Sequence, residues 1–164
     1  DYTNHVDVES AGCAWTSGGT PLNTRGLFKF DLSSIPANAT ILTAKLSLYS
    51  MPTPFLGNFI DANFGTNNAL YLERVTANWT PGIVTWQTQP GTDFGSQITI
   101  PHTNQSFFDL IDIDVKNLVI PMATVANYGF KIRLQNEVIY NIRLFSSSRF
   151  ADAAKRPKLV ITYQ

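Results

Sequence analysis

Cysteine occurs once in this sequence, histidine twice, and charged side chains make up only 15% of the 164 residues. A lone Cys13 excludes an internal disulfide, and in SAGCAWT it alternates with small and apolar neighbours as a buried small hydrophobe does. His5 and His102 both lie away from it in sequence, so no local base is offered to a thiolate nucleophile. Twelve Lys and Arg cancel twelve Asp and Glu, which leaves no electrostatic footprint for duplex nucleic acid or an anionic membrane surface. No apolar run approaches the roughly 20 residues needed to span a bilayer, so membrane insertion by a helix is not expected. Internal repeats of solenoid length and low-complexity tracts are also missing. The chain starts at Asp1 rather than Met, which reads as a processed protein or a fragment.

What remains is a chain of 18.2 kDa, the size of one domain over residues 1–164 and large enough to bury a core. Aromatic residues reach 12%. Together with many Thr, Asn and Ser and a neutral surface, they suit an extracellular or cell-surface β-domain.

Period-two runs dominate. In RGLFKFDLSSIPANATILTAKLSLY, Phe28, Phe30 and Leu32 oppose Arg25, Leu27, Lys29 and Asp31, and Ala44, Leu46 and Leu48 oppose Lys45, Ser47 and Tyr49. That is strand alternation around a corner containing Pro36. HVDVESAGCAW reads as a strand and TSGGTPLNT as a loop. Ser50 to Asn68 is read as a long polar loop, followed by strands in ALYLERV, GIVTWQT and SQITI. FFDLIDIDV alternates Ile111, Ile113 and Val115 against Leu110, Asp112 and Asp114. Val115, Leu118, Val119 and Met122 then switch to helical spacing, and the helix is expected to end at or near Pro121. YGFKIRL, NIRLFSSS and RPKLVITY close the chain as strands. About ten short antiparallel strands with one short helix predict an all-β, jelly-roll-like sandwich, since only sheet-on-sheet packing buries so many half-apolar strands.

Five blocks in order, AWTSGGTPLNTRGLFKFDLSSIPANATILTAKLSLY, YLERVTANWTPGIVTWQTQP, FDLIDIDVKNLV, NYGFKIRL and LFSSSRFADAAKRPKLVITY, span nearly the whole chain. Together they resemble the DNRLRE domain, also described as the family 96 carbohydrate-binding module, and are most similar to its Bacteroidetes-type extracellular versions. The resemblance implies a β-sandwich attached to larger surface proteins, adhesins or polysaccharide-degrading enzymes, with alginate binding for some members. Such domains carry a further strand before the region matching Asp1 to Trp15. An unpaired edge is therefore expected there, open to a strand from a neighbouring subunit.

Sugar-binding modules stack aromatic rings on sugar faces and fix hydroxyls with a few polar groups. Trp79 borders a turn and Trp15 ends a strand before a glycine loop, so either can pack or present its ring. Trp86, inside VTWQT, is expected in the core. Tyr2, Phe55, Phe59 and Phe64 are alternative platforms. An acidic polymer calls for Lys and Arg. A hairpin around QNEVIY would group Lys131, Arg133 and Arg143 on one surface, with a solvated outer face beside Glu137 as the competing reading. Arg25 is expected in a partly buried structural ion pair. Asp31 and Asp109, and above all Asp112 and Asp114, are weak calcium candidates, because no contiguous Asp-rich loop accompanies them. Asn38, Asn78 and Asn104 head glycosylation sequons. Neither a carboxylate pair nor a His, Tyr and Arg set converges by spacing, and no other cofactor is implied. The expected function is a non-catalytic extracellular carbohydrate-binding or adhesion module of a larger secreted or cell-surface protein. The alternative is a structural or adhesive subunit that assembles by β-strand addition between copies.

Overall fold

A computed structural model describes residues 9–164 of the chain; Tyr2 and His5 lie outside the described residues. Two glycines make the first turn: Gly18 and Gly19 have φ of 55° and 84°, the left-handed pair that a two-residue hairpin requires. They join β1 (Glu9–Ser17) to β2 (Thr20–Thr24), so the expected loop TSGGTPLNT is strand apart from these two glycines. Pro21 is tolerated there because β2 is a sheet edge. The remaining strands are β3 (Gly26–Phe28), β4 (Ile41–Leu48), β5 (Asn63–Phe64), β6 (Leu70–Val75), β7 (Thr92–Ile100), β8 (Leu110–Asp114), β9 (Phe130–Leu134), β10 (Asn141–Ser146) and β11 (Lys158–Tyr163). One α-helix, α1 (Lys116–Thr124), follows β8.

The strands form three antiparallel sheets, ordered β2-β1-β10-β5, β11-β4-β8 and β3-β9-β6-β7. This is the all-β sandwich that the alternation predicted. Ala44, Leu46 and Leu48 of β4 meet Leu70 and Leu72 of β6, Phe130, Ile132 and Leu134 of β9, and Leu118, Val119 and Met122 of α1 in one core. A second cluster, Cys13, Met51, Ala62, Ile142 and Leu144, lies on the other face of β1 and β10. Because β10 is covered on both faces, every one of its residues is buried, Arg143 among them.

Several expectations change. GIVTWQT is not a strand but two turns, set between Pro81-Gly82 and Pro90-Gly91, whose breakers end regular structure. The segment Ser50 to Asn68 contains a strand, β5, which pairs Asn63 with Arg143 and Phe64 with Ile142. The phase of FFDLIDIDV slips: Leu110 pairs with Leu48 and Ile113 with Leu46, so two residues face Ser47. This is a β-bulge, with Asp112 at φ 54° and Ile111 turned 54% exposed. The helix passes through Pro121 to Thr124. The proline forfeits one backbone bond, but its carbonyl accepts from Val125 N at 3.0 Å and Thr124 Oγ1 donates to Ile120 O at 3.0 Å. Finally, β1 is paired with β10 on one side and β2 on the other. β10 covers Glu9–Ala14 and β2 covers Cys13–Ser17, so among the described residues the edge expected beside Asp1 to Trp15 is filled by the chain's own β2 from Cys13 onward, while residues 1–8 lie outside the described residues.

The outer face of β9 and β6 is held by charge. Glu73 is fully buried and accepts from Arg133 Nη2 at 2.9 Å, Arg133 Nε at 3.2 Å and Thr92 Oγ1 at 3.1 Å. Lys131, directly opposite it, is 6% exposed and donates to Pro90 O at 3.5 Å. Glu73→Ala strands two cations against the sheet, and its expected cost in urea unfolding is about 3–5 kcal/mol, with Glu73→Gln milder. A loss below about 1 kcal/mol would show that water reaches this face.

Candidate functional site

Three loops meet beside the start of β10 and enclose a cleft of about 510 Å³ formed by residues 61–66, 103–106 and 138–141. Gly65, at φ 104°, allows the first to approach the third, since a Cβ there would run into Asn141 Oδ1 and the Tyr140 carbonyl. Asn141 ties the two together, accepting from Asn67 N at 2.8 Å and donating to Val138 O at 2.9 Å. Buried Asn68 fixes the middle loop: its Oδ1 accepts from Thr103 N and its Nδ2 donates to Thr103 O, both at 3.0 Å. His102 belongs to the same support, accepting at Nδ1 from Asn68 N at 3.1 Å, with its Nε2 2.7 Å from Asn104 Oδ1.

Three aromatic rings dress this frame. Trp15 stands edge-on to Tyr140, with centroids 5.1 Å apart, and edge-on to Phe64 at 5.7 Å. Trp15 rests half-buried against the second core cluster, while Phe64 and Tyr140 keep 41% and 51% of their surface in water. Tyr140 has φ of 69°, a left-handed conformation that a bulky side chain adopts only when its surroundings impose it. Asn63, beside Phe64 on β5 but turned to the Arg143 side of the strand, is 3% exposed. Its Nδ2 donates to Gln105 O at 3.2 Å, but its Oδ1 finds no hydrogen-bond partner among the described residues. Among the described residues of the lining, Asp61 alone carries charge. Rings that offer a π face, beside amides and hydroxyls, fit a ligand with an apolar ring face and hydroxyl edges.

The sequence candidates disperse. Of them, Phe64 and Asn104 line this cleft, and Trp15 packs behind it against Phe64 and Tyr140. Trp79 is half-buried and donates Nε1–H to Tyr128 O at 2.7 Å, which pins its loop to the entry of β9. The expected basic surface does not form, because β9 and β10 belong to different sheets. Arg133 is paired with Glu73, Lys131 is buried, and Arg143 has no exposed surface. Burial pushes the Arg143 guanidinium down to about 10. It donates to Pro101 O at 3.1 Å while Nε and Nη2 find no partner among the described residues, and it lies near the rings of Phe108 and Phe145. The calcium candidates diverge as well. Asp112 bonds with Ser47, whereas Asp114 pairs with Lys45 at 3.1 Å and accepts from Lys116 N at 3.1 Å; that N–H, then Lys45, holds its carboxyl below the ordinary range. Among the described residues no three His, Cys, Asp or Glu converge. Asn38, Asn78 and Asn104 are all exposed. Phe55 and Phe59 are exposed outside the cleft lining.

Arg25 forms its expected ion pair, donating from Nε and Nη2 to the two oxygens of Glu137 at 2.6 and 2.8 Å; that bond raises its pKa. Trp86 corrects its expectation. It is 48% exposed, with the Arg25 guanidinium 4.2 Å from its ring centroid. The sequence reading also passed over Tyr140 and Asn63 as contacts. Three apolar residues in a row, Val138, Ile139 and Tyr140, inside an interstrand loop were the available signal for the first. Nothing local marked the second.

A β-sandwich presenting exposed rings beside amide groups has the make-up of a sugar-binding module. Residues 10–163 match the model of carbohydrate-binding module family 96, and the chain belongs to that family. No curated protein matches it. Among the described residues no helix is long and apolar enough to cross a membrane.

Gly65→Ala should lower the unfolding free energy by about 1–3 kcal/mol, because it adds strain at positive φ to a clash with Tyr140. Parental stability in urea would show that the two loops do not meet there.

Proposed function

We propose that this chain is a non-catalytic, extracellular module of a larger protein, and that the cleft between residues 61–66, 103–106 and 138–141 seats a neutral stretch of polysaccharide. The observation that carries this reading is the pair of exposed rings, Phe64 and Tyr140, braced on Trp15. A sugar ring laid on Tyr140 or Phe64 buries its C–H face against the π system. A neutral ligand is favoured because Arg25 and Arg133 are already neutralised by carboxylates, while Lys131 and Arg143 are buried. The non-catalytic reading is supported by Asp61 being the one carboxylate among the described lining residues, since hydrolysis of a glycosidic bond ordinarily uses two. An extracellular setting is supported by the family and by the neutral, charge-poor sequence.

Affinity electrophoresis in gels containing galactomannan, laminarin, xylan or alginate tests this. The parent should be retarded by at least one neutral polymer, and Tyr140→Ala and Phe64→Ala should each weaken that retardation about tenfold, the equivalent of about 1.4 kcal/mol. Retardation by alginate alone, or parental retardation of Tyr140→Ala, would contradict the proposal.

A further inference from the structure

We infer that Trp86 is a second stacking platform for the same polysaccharide chain, so that the module grips an extended segment rather than one or two sugars; this rests on the cleft reading above. Trp86 keeps 48% of its surface in water. Its placement is built rather than incidental. The Arg25 guanidinium lies 4.2 Å from the ring centroid, within cation–π range. All three kinds of guanidinium nitrogen are engaged: Nε and Nη2 by Glu137, and Nη1 by Gln89 Oε1 at 2.9 Å. Gln89 closes the circuit by donating Nε2–H to the Trp86 carbonyl at 2.9 Å. Thr85 N donates to Thr88 Oγ1 at 2.8 Å, which tightens the same turn. A ring held this way is pre-organised, so little side-chain entropy is lost when a sugar covers it.

Glu137 also supplies the direction. It sits three residues before Tyr140, and three residues of chain reach at most about 11 Å. Between them, Val138 and Ile139 are 61% and 39% exposed. Trp86 thus stacks on Arg25, Arg25 pairs with Glu137, and the loop that carries Glu137 runs on through Val138 and Ile139 to Tyr140 at the cleft. Because Glu137 neutralises Arg25, this path suits the apolar faces of uncharged sugars rather than carboxylates.

Isothermal titration with manno-, laminari- and xylo-oligosaccharides of three and six units tests the inference. In the series that binds, the hexasaccharide should bind the parent at least tenfold more tightly than the trisaccharide. That ratio should fall below about threefold in Trp86→Ala and be largely kept in Trp86→Phe. A ratio near one in the parent, or a parental ratio in a folded Trp86→Ala, would overturn the second platform while leaving the cleft standing. Failure of all six oligosaccharides to bind the parent would overturn the cleft reading and this inference with it.

Discussion

The bidentate ion pair between Arg25 and Glu137 joins two of the places where the chain crosses between sheets. Arg25 lies between β2 and β3, and Glu137 between β9 and β10, so both crossings run between the sheet containing β1 and the sheet containing β6. One part-buried contact therefore fixes how those sheets meet at this end of the sandwich, and a fork-to-carboxylate pair does so with defined orientation. The same pair sets the chemistry around it. Its guanidinium carries Trp86, and its carboxylate anchors the loop that ends at Tyr140.

On β6, β9 and β10 the charges are directed inward. Glu73 draws Arg133 and Thr92 together across three strands, with Lys131 opposite it. Arg143 is the exception, a buried cation whose stabilisation comes from one carbonyl and two neighbouring rings. Charges committed in this way leave the cleft to uncharged groups, since apart from Asp61 its described lining is aromatic, apolar, amide and hydroxyl. That division of labour suits a ligand recognised by ring faces and hydroxyls.

Much of the scaffold was legible because strands announce themselves by alternation: Ala44, Leu46 and Leu48, and again Phe130, Ile132 and Leu134, point where the period places them. Errors arose where local and tertiary signals diverge. The Gly18-Gly19 hairpin was hidden by a proline that an edge strand tolerates, and the bulge opposite Ser47 shifted the inward face of β8. Sheet partners were the least legible feature. Placing Arg133 beside Arg143 assumed that successive strands pair, whereas the chain crosses between sheets there. The site suffered most from this. Phe64 could be suspected as a loop aromatic, but its meeting with Tyr140 and Trp15 depends on contacts between residues far apart in sequence.

The most direct measurement is a map of backbone and side-chain amide resonances of the isotope-labelled chain during titration with trisaccharides from galactomannan, laminarin, xylan and alginate. Binding at the cleft predicts shifts concentrated at residues 61–66, 103–106 and 138–141, together with the Asn63 side-chain amide and the Trp15 indole. Shifts confined to the sheet formed by β11, β4 and β8, with those loops unmoved, would contradict it.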